Sequence, residues 1–473
     1  MILKRSGSFK KTLPVLFAII SILYVWLYRN TFKIGFLGED FSWIKWAKTT
    51  SVLGLLQAGN NTYFRPLSVN IPYFLFSLTE IGTLVWKAIT LFLYVLSAYL
   101  ISRPISTKKQ TGFGVFLASI WLSNPSLAFS VFYLNAFDYI LFPFACLAFF
   151  RFAFEEKALP TFLVFALALF SKEQGIGLIL APIVLKKKFP RWYWMGSSAL
   201  LLVYLWLHAG FRFSSGMVGG FAWSLDPTHC SRTALALLQS LALGTQFNSW
   251  GILWHGIAWL ILGTSALYLL LLEKQKEILE VGRFLALMFI LFIPLCLLKD
   301  LRPDYMSAGF WRLIFLRLAG LPSLASRFQE KKIATTCAIL TVISCIVAAQ
   351  NIPAQESFFE RESRIFKNLL RSSAPFLENC NHTDRVVIKN LDIALGNTAK
   401  AEIAIWAFRS EYLKTRFYLQ RPASNPGIQN SIDPYLWVNE SQTIGHPVLN
   451  IGAKSADEFH VIGGAGIKGC GLR

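Results

Sequence analysis

Apolar stretches of bilayer length recur along this chain, and that recurrence constrains its fold more than any other feature. A helix needs about 20 mostly apolar residues to cross a hydrocarbon core. Residues 13–28, 84–102, 112–134, 139–154, 192–211, 251–272, 283–298, 309–325 and 333–349 all read as such spans. The first lies behind Lys4, Arg5, Lys10 and Lys11. It ends in Tyr28 and runs into Arg29, where a signal peptide would offer small residues for cleavage. It therefore reads as an uncleaved signal anchor with its N-terminus in the cytoplasm.

The basic clusters agree with that count. Arg103/Lys108/Lys109, Lys186/Lys187/Lys188/Arg191, Lys274/Lys276/Arg283 and Arg327/Lys331/Lys332 all fall on the side of the N-terminus, where positive charge in short loops is retained. The parity requires "LPTFLVFALALFSKEQGIGLILAPIVLKKK" to be a hairpin of two short, tilted helices that carries Lys172 and Glu173 to an outward tip. As a single span it would put the triple lysine outside. Charge inside a membrane segment usually faces a cavity or a partner. The plainer alternative is that Lys172 and Glu173 neutralise each other.

Composition fits this frame. Of 473 residues, 54% are hydrophobic and 15% charged, against about 25% charged in soluble domains. Fifteen Trp and 41 Phe suit a lipid-facing surface with aromatic belts. The net charge of +20 lies largely in short clusters between apolar runs, so it reads as membrane topology and not as a nucleic-acid footprint. The expected fold is mainly α, a polytopic membrane helix bundle over 1–350 with about ten or eleven membrane segments. The first external loop, 29–83, includes interfacial helices. A small extracytoplasmic α/β domain occupies 351–473, where "RVVIKNLDIAL" reads as strand and turn, "AKAEIAIWAFRSEYLK" has helical spacing, and "FHVIGGAGIKGCG" reads as a strand before glycine turns. "GGAGIKG" is only a weak phosphate-loop lookalike and is assigned no nucleotide. Cys380 and Cys470, the two cysteines of that domain, can pair in an oxidising compartment or stay apart.

The chemistry gathers in the external loops. "GFLGEDFSWIKWA" sets Glu39 and Asp40 just beyond the first span. Trp43, Trp46, Leu53, Leu55 and Leu56, interrupted by Lys45 and Lys48, suggest helices lying in the interface plane. In "NNTYFRPLSVNIPYFLF", Pro66 suits the first turn of a helix. Arg65 before it sits where a guanidinium can hold a lipid phosphate; the alternative is an arginine snorkelling to ordinary headgroups. A sugar on a polyprenyl phosphate presents its anomeric carbon and phosphate at this level. Transfer to a hydroxyl or amine needs a carboxylate to take the acceptor's proton and cations to hold the leaving phosphate.

These residues also carry a resemblance. "GEDF", "YFRPLS", "NPSLAFSVFYLNAFDY" and "LFSKEQGIGLILAP" are similar, in that order, to blocks of the GT-C membrane glycosyltransferases, in particular the branch related to protein O-mannosyltransferases. The third block retains Pro125, Val131 and Asp138 but lacks the family's histidine and arginine, and "RPDYMSAGF" matches a later loop poorly. The resemblance implies inverting transfer from a polyprenyl-phosphate sugar to an extracytoplasmic acceptor: a glycolipid, a polysaccharide or a protein. Asp40 would be the base, with Glu39 assisting. Arg65 and Lys172 would contact the donor phosphate. By position, Arg312 near the external end of its span and Arg212 at the outer end of "HAGFRF" can reach it as well, with Glu173, Asp138, Arg302 and Tyr305 as supporting residues. Arg312 can instead pair with Asp304, and Asp138 can simply cap its span.

The expected partners are the lipid-linked sugar and membrane lipids, without nucleic acid. The expected place is a bacterial inner membrane, with the N-terminus cytoplasmic and the C-terminal domain periplasmic or extracellular. No cofactor is indicated; an acidic pair can hold a divalent cation but makes a poor site alone. A lipid-saccharide transporter should show paired broken helices, and a scaffold displaying the tail domain would not need these charges on one side.

Overall fold

The computed structural model describes residues 6–38, 40–52, 54, 65–78, 82–102, 111–123, 130–214, 228, 330–377, 385–391, 404–405, 407–409, 416–420, 437–438, 448–453 and 459–463. The spans expected at 251–272, 283–298 and 309–325 lie outside these residues, as do Glu39, Arg302, Tyr305, Arg312, Cys380 and Cys470.

Long apolar helices dominate the N-terminal part: α1 (Ser6–Leu27), α4 (Gly82–Ser102), α5 (Thr111–Ser123), α6 (Asp138–Phe154), α7 (Ala158–Ser171) and α9 (Arg191–Ser214). Two segments among the described residues, Leu84–Ser102 and Leu134–Phe154, are both long and apolar enough to cross a membrane. Helix α4 packs on α5 and α6, α6 on α7, and α7 on α9. Val15, Ile22 and Trp26 of α1, Phe92 of α4 and Met195 and Trp206 of α9 face outward, although all are large and apolar.

Polar groups point inward. The fully buried Tyr28 donates to the carbonyl of Leu122, and Tyr94 to that of Trp121, whose indole returns a hydrogen bond to Tyr94. An apolar exterior with inward polar groups hydrogen-bonded as these are is what a hydrocarbon solvent selects, because no water is there to take an unmade hydrogen bond.

The expected span 112–134 is helical over Thr111–Ser123 but does not stay so to its end: Tyr133 is extended, φ −105° and ψ 118°, and a 3-10 turn follows at Leu134–Ala136. By Val131 the chain is already at the end of the bundle where α1 stops, with the Val131 carbonyl accepting from Thr31 Oγ1 at 2.8 Å.

Residues 158–187 form a hairpin. At 14 residues α7 rises about 21 Å, short of a full crossing. Lys172 then takes an extended conformation, φ −160° and ψ 144°. A 3-10 segment, Glu173–Leu180, and the short α8, Ala181–Val184, lead back along α7. The reversal is tight: a Cβ on Gly175 would lie 2.7 Å from backbone atoms of Ala168 and Leu169. Lys187 ends the return by donating to the carbonyl of Phe154, at the last residue of α6. Lys172 and Lys187 therefore sit at opposite ends of the bundle.

The loop after α1 makes a 3-10 turn, Arg29–Lys33, and then α2 (Asp40–Thr49). A π-helical turn, Pro66–Asn70, opens on the expected proline and runs into α3 (Ile71–Leu78). Helices α2 and α3 pack together through Trp43, Ile44, Val69, Tyr73 and Phe76.

The final helix α10 (Glu330–Leu377) runs unbroken through residue 350. Its first part presents Val342 and Ile346 outward, and its second part joins the C-terminal domain. There β1 (Arg385–Lys389), β2 (Arg416–Gln420), β3 (Trp437–Val438), β4 (Val448–Ala453) and β5 (Phe459–Gly463) form one sheet in the order β3-β2-β1-β4-β5. All pairings are parallel except β4 with β5. Ile365, Phe366 and Leu369 of α10 cover Val386 and Ile388 of β1, and Phe41 of α2 enters the same core.

Candidate active site

Four of the sequence blocks meet at one end of the bundle, where α1 and α7 finish and α6 begins. Arg65 lies just before Pro66, at φ −132° and ψ 67°, with its guanidinium on α6 and the hairpin. Its Nη1 donates to Asp138 Oδ2 at 2.9 Å, its Nη2 to Glu173 Oε2 at 3.0 Å, and its Nε to both Glu173 oxygens at 3.2 and 3.3 Å. Lys172 Nζ reaches the same Asp138 Oδ2 at 2.8 Å and lies 3.6 Å from the centre of the Tyr139 ring. The side chains of Asp138, Lys172 and Arg65 are 0%, 3% and 8% exposed, and Glu173 is more open at 17%. Two cations and two carboxylates thus form one nearly dry, neutral network. Charge-assisted bonds of this kind are strong where solvent is excluded.

The local backbone explains the arrangement. Extended φ and ψ at Lys172 send adjacent side chains to opposite sides, so Lys172 goes to Asp138 while Glu173 goes to Arg65. The ion pairs therefore do not run between the neighbours Lys172 and Glu173, and the mutual-neutralisation alternative gives way to a crosslink between α6, the hairpin and the π-helical turn. Asp138 does not cap α6 through its side chain. It sits in the first turn, where the helix dipole favours a negative charge, and receives the two cations. Its Oδ1 is buried without a hydrogen-bond partner among the described residues. Ser68 completes the joint by donating to the carbonyl of Ser171 at 2.7 Å.

Asp40 is fully buried at the start of α2. Its Oδ2 accepts from the Leu37 N–H at 2.8 Å, and its Oδ1 from the Asn135 N–H at 3.0 Å. The Tyr73 hydroxyl makes a short bond to Oδ1. The turn that presents it needs a glycine, since Gly38 adopts φ +48°. Burial pushes the Asp40 carboxyl up to about 7, against the opposing pull of the Tyr73, Leu37 and Asn135 hydrogen bonds and the Lys87 charge.

The two acidic centres share their supports. The segment 65–73 binds Asp138 through Arg65 and Asp40 through Tyr73. The segment 135–138 carries Asp138 itself and holds Asp40 through the Asn135 N–H. Asp40, Arg65, Asp138, Lys172 and Glu173 are therefore brought into one assembly. Arg212 lies on the last turns of α9, its side chain outside the described residues, as Glu39, Arg302, Tyr305 and Arg312 are entirely. Tyr73 and Lys87 are additions to the expected set. The signal for Lys87 was a lone lysine in the second turn of an apolar span; Tyr73 sits unmarked among apolar neighbours. Among the described residues no cluster of His, Cys, Asp and Glu is suited to a metal ion.

No known protein-family model matches the chain, and no curated protein sequence matches it. Among solved structures it is similar to the crystal structure of ArnT from Cupriavidus metallidurans bound to undecaprenyl phosphate, with a TM-score of 0.44 and 11% identity over 96% of this chain and 98% of that one. A likeness at that level assigns no residue role here.

Proposed function

We propose that the chain is an integral membrane glycosyltransferase that moves a sugar from a polyprenyl-phosphate donor to an acceptor outside the cytoplasm. The observation that carries this reading is the meeting of Asp40, Arg65, Asp138, Lys172 and Glu173 at one end of an apolar-surfaced bundle. The basic run at 186–188 lies at the other end. Short-loop positive charge stays cytoplasmic, so the acidic and basic assembly faces the periplasm or cell exterior, together with the α/β domain.

Asp40 acts as base. A carboxyl poised near 7 suits proton abstraction at neutral pH. Arg65 and Lys172 bind the donor phosphate, exchanging part of their hold on Asp138 and Glu173 for phosphate oxygens. Their preset geometry lowers the reorganisation needed as charge develops on the leaving group. Glu39 assists Asp40. Arg212 and Arg312 add phosphate contacts, and Arg302 and Tyr305 support the site. The acceptor is a glycolipid, a polysaccharide or a protein. The reaction as proposed routes no step through a metal.

A scaffold reading draws on two features, the closed pairing of the charges and the complete burial of Asp40, which purely structural groups would also show. Reconstitution in liposomes with radiolabelled polyprenyl-phosphate sugars and membrane extract separates the two. Transfer that disappears in Asp40→Asn supports the enzyme. Failure of every donor, with the protein folded and inserted, leaves the scaffold.

A further inference from the structure

Lys87 is 1% exposed on the second turn of α4, in a span that is otherwise apolar at this level. A buried ammonium is costly unless its protons are used. Its Nζ donates to the Thr31 carbonyl at 2.8 Å and to the Ile34 carbonyl. Those carbonyls belong to the segment leading from α1 to Asp40. The same segment is held by Thr31 Oγ1 on Val131 and by the Gly35 N–H on Ser363 Oγ, both at 2.8 Å. The Leu37 N–H on Asp40 then closes the turn. Lys87 is also within electrostatic reach of the Asp40 carboxylate. The other groups facing that carboxylate are the Tyr73 hydroxyl from α3 and the Leu37 and Asn135 N–H groups, all hydrogen-bond donors without charge.

We propose that Lys87 is a positioning residue for the Asp40 reaction: it clamps the carbonyls of Thr31 and Ile34 to fix the turn that presents Asp40, and it supplies the one cation facing the Asp40 carboxylate among the described residues. The proposal rests on the transfer reading above but concerns a different residue and has its own readout. Lys87 touches backbone carbonyls and acts on the reaction through Asp40. Removing its charge makes the Asp40 anion harder to form, so the carboxyl should hold its proton to higher pH. Arginine keeps the charge and the donors, whereas glutamine keeps a donor without the charge.

The test is infrared titration of the purified full-length protein in nanodiscs, with the Asp40 carboxyl band isolated by subtraction of the Asp40→Asn spectrum. Lys87→Met should raise the midpoint by about one pH unit, Lys87→Gln should do the same, and Lys87→Arg should restore it. The acid limb of any transfer rate should move in parallel. An unmoved midpoint in folded Lys87→Met or Lys87→Gln overturns the proposal. So does loss of fold in both, because Lys87 would then be a folding residue. A midpoint that moves while no variant, nor the native protein, transfers sugar would leave the positioning role standing and sink the transfer reading.

Discussion

Arg65 and Lys172 meet on a single oxygen, Asp138 Oδ2, at 2.9 and 2.8 Å. Three segments far apart in sequence, the π-helical turn, the start of α6 and the hairpin tip, are thereby joined by one carboxylate. Asp138→Asn would leave two buried cations with only Glu173 to balance them. Breaking such a pair from one side costs about 3–5 kcal/mol. The detergent-solubilised variant should lose thermal stability accordingly, and a melting curve superimposable on the native one would show that the joint is dispensable. Arg65→Ala combined with Asp138→Asn should cost less than the two single changes added together, because the residues act as a unit.

The hairpin makes a topological prediction. Lys188 and Thr49 are both exposed, at opposite ends of the bundle. Single cysteines at these positions in a cysteine-free background should label differently in intact cells. Thr49→Cys should react with an impermeant maleimide, and Lys188→Cys only after permeabilisation. Outside labelling at position 188 would invert everything after α7.

Much of this architecture was readable beforehand, for identifiable reasons. Apolar runs of bilayer length have few alternatives, so α4, α6 and α9 fall close to where the sequence puts them. The "FRPLS" and "SKE" blocks were legible because charge beside membrane segments is costly enough to need a use. The burial of Asp40 was not legible, since an acid beyond a span defaults to water until the fold supplies Tyr73 and Asn135. Nor were β2 to β4. They are two to six residues long, and strands of a mostly parallel sheet lack the alternation that betrays a half-exposed one.

Phe41 links the site to the C-terminal domain. One residue after Asp40, it is 6% exposed and lies 5.6 Å from Phe366 of α10, in an edge-on contact. Phe→Ala in a packed core costs about 3–5 kcal/mol. Phe41→Ala should therefore loosen the α/β domain from the loop, seen as faster trypsin cleavage after residue 350 with the bundle still intact. Unchanged cleavage would mean that the domain is held without this ring.

Asp40 makes the sharpest prediction, because its chemistry and its stability effect run in opposite directions with pH. Its carboxyl is pushed up to about 7 in the folded protein, from 3.8 ordinarily. Between those values the folded state holds a proton that the unfolded chain has released. Stability from this group is thus fully present below about pH 4 and is lost as pH rises through 7, by on the order of 4 kcal/mol. Catalysis needs the ionised form, so the rate should climb over the same interval and level off above pH 7. Asp40→Asn should flatten the fall in melting temperature between pH 5 and 8, and it should nearly abolish transfer at every pH. Glu39→Gln should be milder on both measures. A folded Asp40→Asn protein with normal turnover would remove Asp40 from the reaction, and an Asp40→Asn melting temperature that falls as steeply as the native one from pH 5 to 8 would show that the buried carboxyl does not titrate in that interval.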